Sequence, residues 1–527
     1  MNEKHNHKWV VLMTVCLAVF MGMLDITIVN VALPEIQKSF SSNFTTLQWV
    51  LNAYTLVYAM MLLPVSKLGD RFGKKLVFLI GLLIFITGSL ASGMAQSDTL
   101  LNFFRGFQGI GGAAMMSLSL SIVTLSFPSK QRGLALGIWS SVTGLAVSIG
   151  PLIGGALVDA FGWRSIFLIN IPVGIFAIIM GMLFIHDTEE RRPEKLDIFG
   201  MIFSTVMVFS MILALIQKEM HSSYAWTNYH IVLLFALAIV TLVALIITEL
   251  KVKEPMINLS IFNSSSFVGA NIAAFTMGAG IYGGFTYLSI LMQNYMGYSA
   301  FDTGLKLLWI SAFTLILGPL TGLLSGRIGN RWLISIALLF GVTGVLTIQH
   351  LLDVPFRWHD LFAGFILLGI SNALINPPIS NTAMGSVKKS DVGMASGVLN
   401  VFRQVGISFG VVVLGISVTN GYNTKLNEGL SHLSQVPPVL SNHLSAAHGE
   451  IVSMLHKAGP FAGQQIFASH QARAYRKLPI FHQLHDVVFQ AFQSGMTRAC
   501  SVMAILLIIG ALSSLVLIRR SVKNSDE

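Results

Sequence analysis

Long apolar runs, separated by short polar stretches, extend along most of this 527-residue chain. A helix of about 20 apolar residues crosses the roughly 30 Å hydrocarbon core of a bilayer. Because backbone amides in lipid have to bond within their own segment, these runs are predicted to be helices. Fourteen spans are predicted, at 9–33, 47–66, 76–96, 100–127, 133–158, 165–185, 198–217, 229–248, 267–291, 305–326, 332–352, 360–383, 393–420 and 497–518.

Composition supports a membrane protein, since 54% of the residues are apolar and only 11% are charged. Soluble globular proteins carry about 25% charged residues, so a soluble enzyme and a disordered scaffold are both excluded. Cys16 and Cys500 lie in apolar runs and imply no disulfide framework. The first run is long and contains Asp25, which indicates a retained helix rather than a cleaved signal peptide.

The distribution of positive charge predicts the orientation of the chain. There are 33 lysines and arginines against 23 acidic residues, a net charge of +10. Most of these cations fall in loops that a cytoplasmic N-terminus would place inside, so both termini are predicted to be cytoplasmic. The positive charge is thus assigned to loops at the lipid bilayer, and no nucleic-acid partner is predicted.

The sequence contains an internal repeat. The loop at 66–75 matches 322–331 at an offset of 256, and 133–137 matches 393–397 at an offset of 260. We therefore predict two six-helix bundles, at 1–190 and 256–527, with two inserted helices at 191–255. Repeated halves around a midplane site are typical of secondary transporters.

The two repeats differ in their charged residues. Asp70 is matched by Gly326, and Arg105 is matched by Phe365. The glycines recur while the charges do not, so packing is needed in both halves and ion chemistry is predicted in the N-terminal half.

Asp25 and Arg105 are the predicted proton-coupling residues. Asp25 follows an apolar run that begins at Trp9, and an ionised carboxylate at that depth costs several kcal/mol unless it is paired. It is predicted to alternate between protonated and paired states; a purely structural partner of a polar group is the alternative. Arginine keeps its charge and can only act as the counterpart. The alternative for Arg105 is a side chain that snorkels to the interface.

Two glycine-containing motifs predict moving parts. In the inner loop, Asp70 could cap a neighbouring helix, so Asp70, Arg71 and Gly73 are predicted to form a latch; a plain solvated turn is the alternative. In the fifth span, Gly150 and Gly154 allow close helix contact and Pro151 bends the helix. The predicted surface on which the halves rock comprises Gly137, Gly150, Pro151, Gly154 and Gly155.

A polar and aromatic set is predicted to line the substrate path. Such residues also serve as hydrogen-bonding partners between helices, which is the alternative. With few acids, the lining suits large amphipathic molecules and makes no strict demand for a positive charge. The set is Tyr54, Tyr58, Asn271, Phe275, Tyr282, Asn372, Asn376, Asn400, Arg403 and Gln404.

The segment at 421–495 is too long for a turn and is predicted to face outward. It carries half of the 14 histidines, but their spacing favours no metal site. Apolar residues recur at helical spacing from Ile480 to Phe492, so an amphipathic helix before the last span, forming a hairpin or cap over the outer mouth, is predicted.

Enzyme signatures are missing from the sequence. The glycines of 69–74 do not have phosphate-loop spacing, and neither the His-Glu-x-x-His nor the Gly-x-Ser-x-Gly pattern occurs. No cofactor is predicted. Without a nucleotide site, transport is predicted to draw on an ion gradient.

Five segments together resemble the major facilitator superfamily, and in particular its fourteen-helix drug:proton antiporters of the EmrB/QacA type. The first and last of them are specific to that branch. Ser66 departs from the glycine that opens the family's inner-loop motif. The segments are 24–34 (LDITIVNVALP), 66–75 (SKLGDRFGKK), 105–112 (RGFQGIGG), 150–155 (GPLIGG) and 163–172 (WRSIFLINIP).

The resemblance implies an all-α major facilitator fold in a bacterial plasma membrane. It implies proton-coupled export of amphipathic drugs by alternating access, with Asp25 as the protonation site and an antiporter motif in the fifth span formed by Gly137, Gly150, Pro151, Gly154 and Gly155. We expect small drugs, protons and the bilayer as partners, and a functional monomer. Two alternatives stay open: an exporter or flippase of an endogenous lipid, cell-wall precursor or peptide, and a transport-dead sensor or assembly partner.

Overall fold

The computed structural model describes residues 7–42, 44–186, 196–221, 224–433, 455, 459–462, 467 and 479–519. Over these residues the regular secondary structure is helical throughout. Thirteen helices are long and apolar enough to cross a membrane. The remaining predicted span is also helical but is interrupted by two π-helical turns.

The helices, numbered in chain order, correspond to the predicted spans. Their bounds are α1 (Lys8–Phe40), α2 (Phe44–Phe72), α3 (Lys74–Gly93), α4 (Asp98–Ser126), α5 (Ser129–Phe161), α6 (Ser165–Phe184), α7 (Ile198–Met220), α8 (Tyr229–Lys251), α9 (265–295), α10 (Ala300–Ile328), α11 (Asn330–Leu351), α12 (Trp358–Gly385), α13 (Val392–Leu433) and α14 (Pro479–Leu517). We call α1–α6 the N-terminal bundle and α9–α14 the C-terminal bundle.

The interruptions of α9 correct the regular helix predicted for 267–291. Its π-helical turns cover Gly278–Tyr282 and Leu291–Tyr295. The first turn lies where α9 meets α13, with Gly278 packed against the backbone of Arg403. A π-helical turn adds a residue and rotates the side chains that follow it. The regular spacing of Asn271 and Tyr282 therefore does not determine which neighbours they meet.

The repeated inner loops have the same backbone turn. Gly73 precedes α3 with φ 101° and ψ 133°, and Gly329 precedes α11 with φ 89° and ψ 140°. A side chain would strain this left-handed conformation, which glycine adopts readily. The sequence repeat is therefore also a structural one at this turn.

Two seams join the bundles, and they differ in extent. Along α5 and α10, Gly137 packs on the backbone of Gly318 near the inner end, and Pro151 packs on Gly304 near the outer end. Along the inner half of α2 and α13, Ser66 packs on Gly397. The inner ends of the bundles are therefore closed against each other.

The inserted helices α7 and α8 pack against each other, and α7 lies beside both α2 and α13. Near the outer end, Asn52 Nδ2 donates to Met220 Sδ at 3.5 Å. Near the inner end, Lys67 Nζ donates to Pro255 O at 2.9 Å. The inserted segment thus covers the α2–α13 seam from the side, and it bonds to α2 near both the outer and the inner end.

The outer segment is shorter than the 421–495 predicted, because α13 continues to Leu433 and α14 begins at Pro479. The two extensions form a helical hairpin in which Gly421 contacts Gly495 and Gly429 contacts Val487. The amphipathic helix predicted before the last span is confirmed. Most of the intervening loop lies outside the described residues. This part contains four of the seven histidines of 421–495, which are His443, His448, His456 and His470.

Candidate functional site

Asp25 of α1 and Arg105 of α4 form a buried ion pair. Arg105 Nη1 donates to Asp25 Oδ2, and the two side chains are 1% and 0% exposed. An arginine that snorkelled to the interface would be exposed to solvent or lipid headgroups, whereas this one is enclosed by protein. The structure therefore brings together the two residues that the sequence predicted as partners.

Two further side chains complete the hydrogen bonding of Asp25. Gln108 Nε2 donates to Asp25 Oδ1 at 3.0 Å, and Asn170 Nδ2 donates to the same oxygen at 2.9 Å. Asn170 also contacts Ser89 Oγ at 3.0 Å. Sequence reasoning missed these residues as site members. The available signals were the position of Gln108, one helical turn after Arg105, and the placement of Asn170 inside the 163–172 motif.

Arg105 is held by more than its ion pair. Its Nε donates to Val50 O at 3.2 Å, and its guanidinium lies 4.4 Å from the Tyr54 ring centroid. Tyr54 in turn stacks on Tyr58 at 5.9 Å between centroids. Tyr54, predicted to line the substrate path, is thus placed as a packing partner of Arg105.

At the inner end, Asp70 lies against the first turn of α13. Its carboxylate occupies the space that a β-carbon on Gly393 would need, and Lys74 Nζ lies 3.1 Å from Asp70 Oδ1. A carboxylate at a helix N-terminus is stabilised by the helix dipole. Arg71, predicted as a third latch residue, instead lies over the Phe72 ring, 5.1 Å from its centroid.

The glycine motif of α5 faces two neighbours. Gly150 and Gly154 pack on Thr27 and Ile28 of α1, two and three residues after Asp25 in the chain. On the opposite side, as described above, Gly137 and Pro151 contact α10. Gly155 makes only ordinary contact, with Phe301 atoms 3.8 Å from its β-carbon position. Helix α5 therefore connects the surroundings of Asp25 with the other bundle.

Polar residues of the C-terminal bundle form a second network. Tyr282 Oη donates to Asn372 Oδ1 at 3.1 Å and accepts from Asn376 Nδ2 at 3.1 Å. Asn372 Nδ2 donates to Thr314 Oγ1 at 3.1 Å. These bonds join α9, α10 and α12. Three residues predicted for the substrate path are thus in direct contact.

Arg403 of α13 lies beside this network, between the bundles. Its Nη1 donates to Asn400 Oδ1 at 3.4 Å, and Tyr58 and Tyr282 are near enough to interact with its charge. Gln404 follows it on α13 and is half-buried.

Two other predicted residues of α9 make different contacts. Asn271 Nδ2 donates to Phe267 O of its own helix at 2.8 Å, so the structure does not bring it into the Tyr282 network. The Phe275 ring packs on Phe409 at 5.5 Å between centroids.

One acidic residue near the outer side was missed by sequence reasoning. Glu219, in the last turn of α7, has an exposed side chain whose charge acts on Tyr287 of α9. In the sequence, Glu219 stands at the polar end of a span, and nothing there indicates that it lies near Tyr287. Among the described residues, no group of three His, Cys, Asp or Glu side chains could hold a metal ion.

Comparison with known proteins agrees with this architecture. A sequence profile described as Major Facilitator Superfamily matches residues 15–411. The chain is 33% identical to the multidrug resistance protein Stp of Mycobacterium tuberculosis over 82% of this chain and 79% of that protein. It is 31% identical to the multidrug transporter protein MdtP of Bacillus subtilis over 92% of this chain and 91% of that protein.

A solved structure shares the fold. The human organic anion transporter MFSD10 superposes with a TM-score of 0.63, covering 96% of this chain and 99% of that one, at 13% identity. At that identity the likeness is one of fold alone. The predicted all-α major facilitator fold agrees with these matches. From its sequence match and its helices, this multi-pass protein of the plasma membrane belongs to the Major Facilitator Superfamily, and it is a transporter rather than an enzyme.

Proposed function

We propose that this transporter exports amphipathic drugs in exchange for protons, by alternating access between its two bundles. The names of its relatives Stp and MdtP support drug export. The observation that supports proton coupling is the enclosed network around Asp25. In this proposal the working units are 1–190 and 256–527, with 191–255 inserted, and one chain is sufficient for transport.

The hydrogen bonds around Asp25 suit a carboxylate that alternates between two states. Its two oxygens face donors from Arg105, Gln108 and Asn170. A proton on Asp25 would turn one accepting oxygen into a donor and leave one of these groups without its acceptor. Because unsatisfied buried polar groups cost about 1–3 kcal/mol, protonation favours rearrangement of α1 against α4 and α6.

Helix α5 can carry that rearrangement to the other bundle. Gly150 and Gly154 contact Thr27 and Ile28, one helical turn or less from Asp25. The other side of α5 lies on α10, where Ser141 Oγ donates to Thr314 O at 2.8 Å. Thr314 also binds Asn372 of the polar network. A shift of α1 therefore has a continuous packed route to the Tyr282 network.

In this proposal, the closed inner seam corresponds to the outward-facing stage of the transport cycle. With the inner ends in contact, a proton reaches Asp25 from outside and the drug leaves outward. After the bundles rock, the proton is released inward and a new drug binds. A membrane potential supplies about 2.3 kcal/mol per charge per 100 mV, so one proton sustains roughly a fifty-fold gradient of a neutral drug per 100 mV.

Proteoliposomes with an imposed pH gradient test this function. The purified protein is expected to move an amphipathic dye against its concentration gradient, and Asp25→Asn is expected to abolish that movement. Glu35→Gln is the matched control, because Glu35 lies on the same helix with an exposed side chain. Unchanged gradient-driven transport by Asp25→Asn, in protein that elutes as a folded monomer, would contradict the proposal.

A further inference from the structure

In the part of the chain that the structure describes, two arginines are deeply buried, and they differ in how their charge is compensated. Arg105 has a carboxylate partner, a carbonyl and an amide as acceptors. Arg403 is 7% exposed, and its Nη1 donates a long hydrogen bond of 3.4 Å to Asn400 Oδ1. Among the described residues, no hydrogen-bond partner reaches its Nε and Nη2 atoms. An unpaired charge buried inside a membrane protein costs several kcal/mol.

Arg403 lies near the middle of the membrane and between the two bundles. It lies about 16 Å along α13 from its first residue, Val392, at 1.5 Å per residue, which is about half the hydrocarbon thickness. Tyr58 of the N-terminal bundle and Tyr282 of the C-terminal bundle both act on its charge, so it lies between the bundles. Transporters with repeated halves bind their substrates at this level and between the halves.

The free atoms of Arg403 form one edge of the guanidinium. The Nε–H and one Nη2–H bond of arginine point in parallel, and together they match the two oxygens of a carboxylate. Nη1, which lies off this edge, is the atom that contacts Asn400. Among the described residues, the groups that interact electrostatically with Arg403 are Tyr58 and Tyr282, which carry no negative charge while protonated.

We propose that Arg403 is an anion-recognition site that selects amphipathic substrates bearing a carboxylate or a similar two-oxygen anion. The anion takes the Nε–Nη2 edge, while the aromatic rings of Tyr58 and Tyr282 flank the apolar body of the molecule. The amides of Asn372 and Asn376, bonded to Tyr282, supply further polar groups. This inference rests on the proposed function and names its substrate class.

A pair of dyes that differ by one methyl ester tests the site. Rhodamine 110 carries a free carboxylate, and rhodamine 123 is its methyl ester. Binding of each is measured by fluorescence anisotropy to the full-length protein in phosphatidylcholine nanodiscs. Because a charge-assisted hydrogen bond contributes about 1.5–3 kcal/mol, the wild-type protein is expected to bind the acid about tenfold or more tightly than the ester. Equal affinity for the two dyes would overturn the proposal without any variant.

Variants of Arg403 then assign the preference to this side chain. Arg403→Gln is expected to remove the difference between the dyes, and Arg403→Lys to retain part of it, because lysine keeps the charge but lacks the two-donor edge. An unchanged preference in folded Arg403→Gln would also overturn the proposal. Adding phosphatidylglycerol distinguishes the source of the anion: displacement of rhodamine 110 indicates a lipid headgroup, and no displacement indicates a soluble drug, with the anion site retained in both cases.

Equilibrium binding separates this proposal from proton coupling. Asp25→Asn is expected to keep the preference for the acid, since Asp25 lies in the other network. Proton-driven efflux that survives in Asp25→Asn would contradict the proposed function while leaving the Arg403 site intact. Loss of the dye preference in Arg403→Gln alone supports the site whatever drives transport.

Discussion

Asp70 of α2 and Gly393 of α13 meet so closely that no β-carbon fits between them. The contact places a carboxylate at the positive end of a helix in the opposite bundle, at the inner end of the α2–α13 seam. In the other repeat, the residue that corresponds to Asp70 is Gly326, so this charged contact exists at one of the two related seams.

A methyl group at Gly393 is expected to open the inner seam. Gly393→Ala forces Asp70 away from α13, so the inner ends of the bundles separate and proton-driven transport falls about tenfold, as a cost of about 1–3 kcal/mol implies. Spin labels at Lys130→Cys and Lys388→Cys, exposed at the inner ends of the two bundles, report the separation as a longer distance. Gly385→Ala is the control, because its β-carbon position is open. An unchanged distance in Gly393→Ala would contradict the latch.

Two glycines of the α5 motif are expected to respond differently to the same substitution. Gly150→Ala brings a methyl group onto Thr27, whereas Gly155→Ala meets Phe301 at ordinary contact distance. Overpacking costs about 1–3 kcal/mol, so Gly150→Ala is expected to lower the temperature of thermal unfolding and the transport rate. Gly155→Ala is expected to stay close to wild type. Equal effects of the two variants would show that the α1–α5 contact has no special role.

Asn170 is expected to act as a positioning residue for Asp25. Asn170→Leu removes one donor from Asp25 Oδ1 and leaves Ser89 without that partner. The loss of a hydrogen bond to a charged group predicts a decrease of about tenfold or more in proton-driven dye transport. Asn102→Leu, which removes the bond to Thr46 O at the outer end of α4, is the matched control and is expected to transport within about twofold of wild type.

A second measurement on the same proteins distinguishes a role of Asn170 in positioning Asp25 from a general effect on stability. If Asn170 acts through Asp25, dye exchange without a pH gradient is retained in Asn170→Leu while gradient-driven transport is lost. A parallel loss of both activities, or a control variant that loses as much, would assign Asn170 a merely structural role.

The contact of residues 460–461 with α9 is expected to weaken when the Tyr295 hydroxyl is removed. Tyr295 Oη donates to Pro460 O at 2.6 Å, and Asn294 Nδ2 donates to Phe461 O at 2.6 Å. Tyr295→Phe removes the first bond, worth about 1 kcal/mol, so chymotryptic cleavage after Phe461 is expected to become about fivefold faster. Tyr229→Phe, at an exposed position on α8, is the control. Cleavage at the wild-type rate would show that the Tyr295 hydroxyl does not hold the segment.

Much of the architecture could be predicted from the sequence because the bilayer imposes it. Long apolar runs have to form helices in lipid, and their number, order and repeat agree with the structure. The repeat of the inner loop was visible in the sequence, and the structure adds that Gly73 and Gly329 share a backbone conformation that only glycine adopts without strain. Asp25 and Arg105 were recognisable as partners because isolated charges in a membrane need compensation.

The partners of these charges depended on how the helices pack. Asn271 and Tyr282 were both predicted to line the substrate path, but Tyr282 lies in a π-helical turn and bonds across helices to Asn372, whereas Asn271 bonds within its own helix. Gln108 and Asn170 joined Asp25 from helices whose rotation no periodicity specifies. Arg71 lies over the ring of Phe72, its neighbour at the end of α2.

The sequence by itself therefore determined the helices, their repeat and the existence of a buried acid that needs a cation. Those properties follow from the cost of exposing polar groups to lipid, which acts on each segment separately. Only the tertiary structure decided that Arg105 is satisfied while the Nε–Nη2 edge of Arg403 is left open between the bundles. That difference arises from which side chains distant helices bring within about 3 Å, the distance at which hydrogen bonds form.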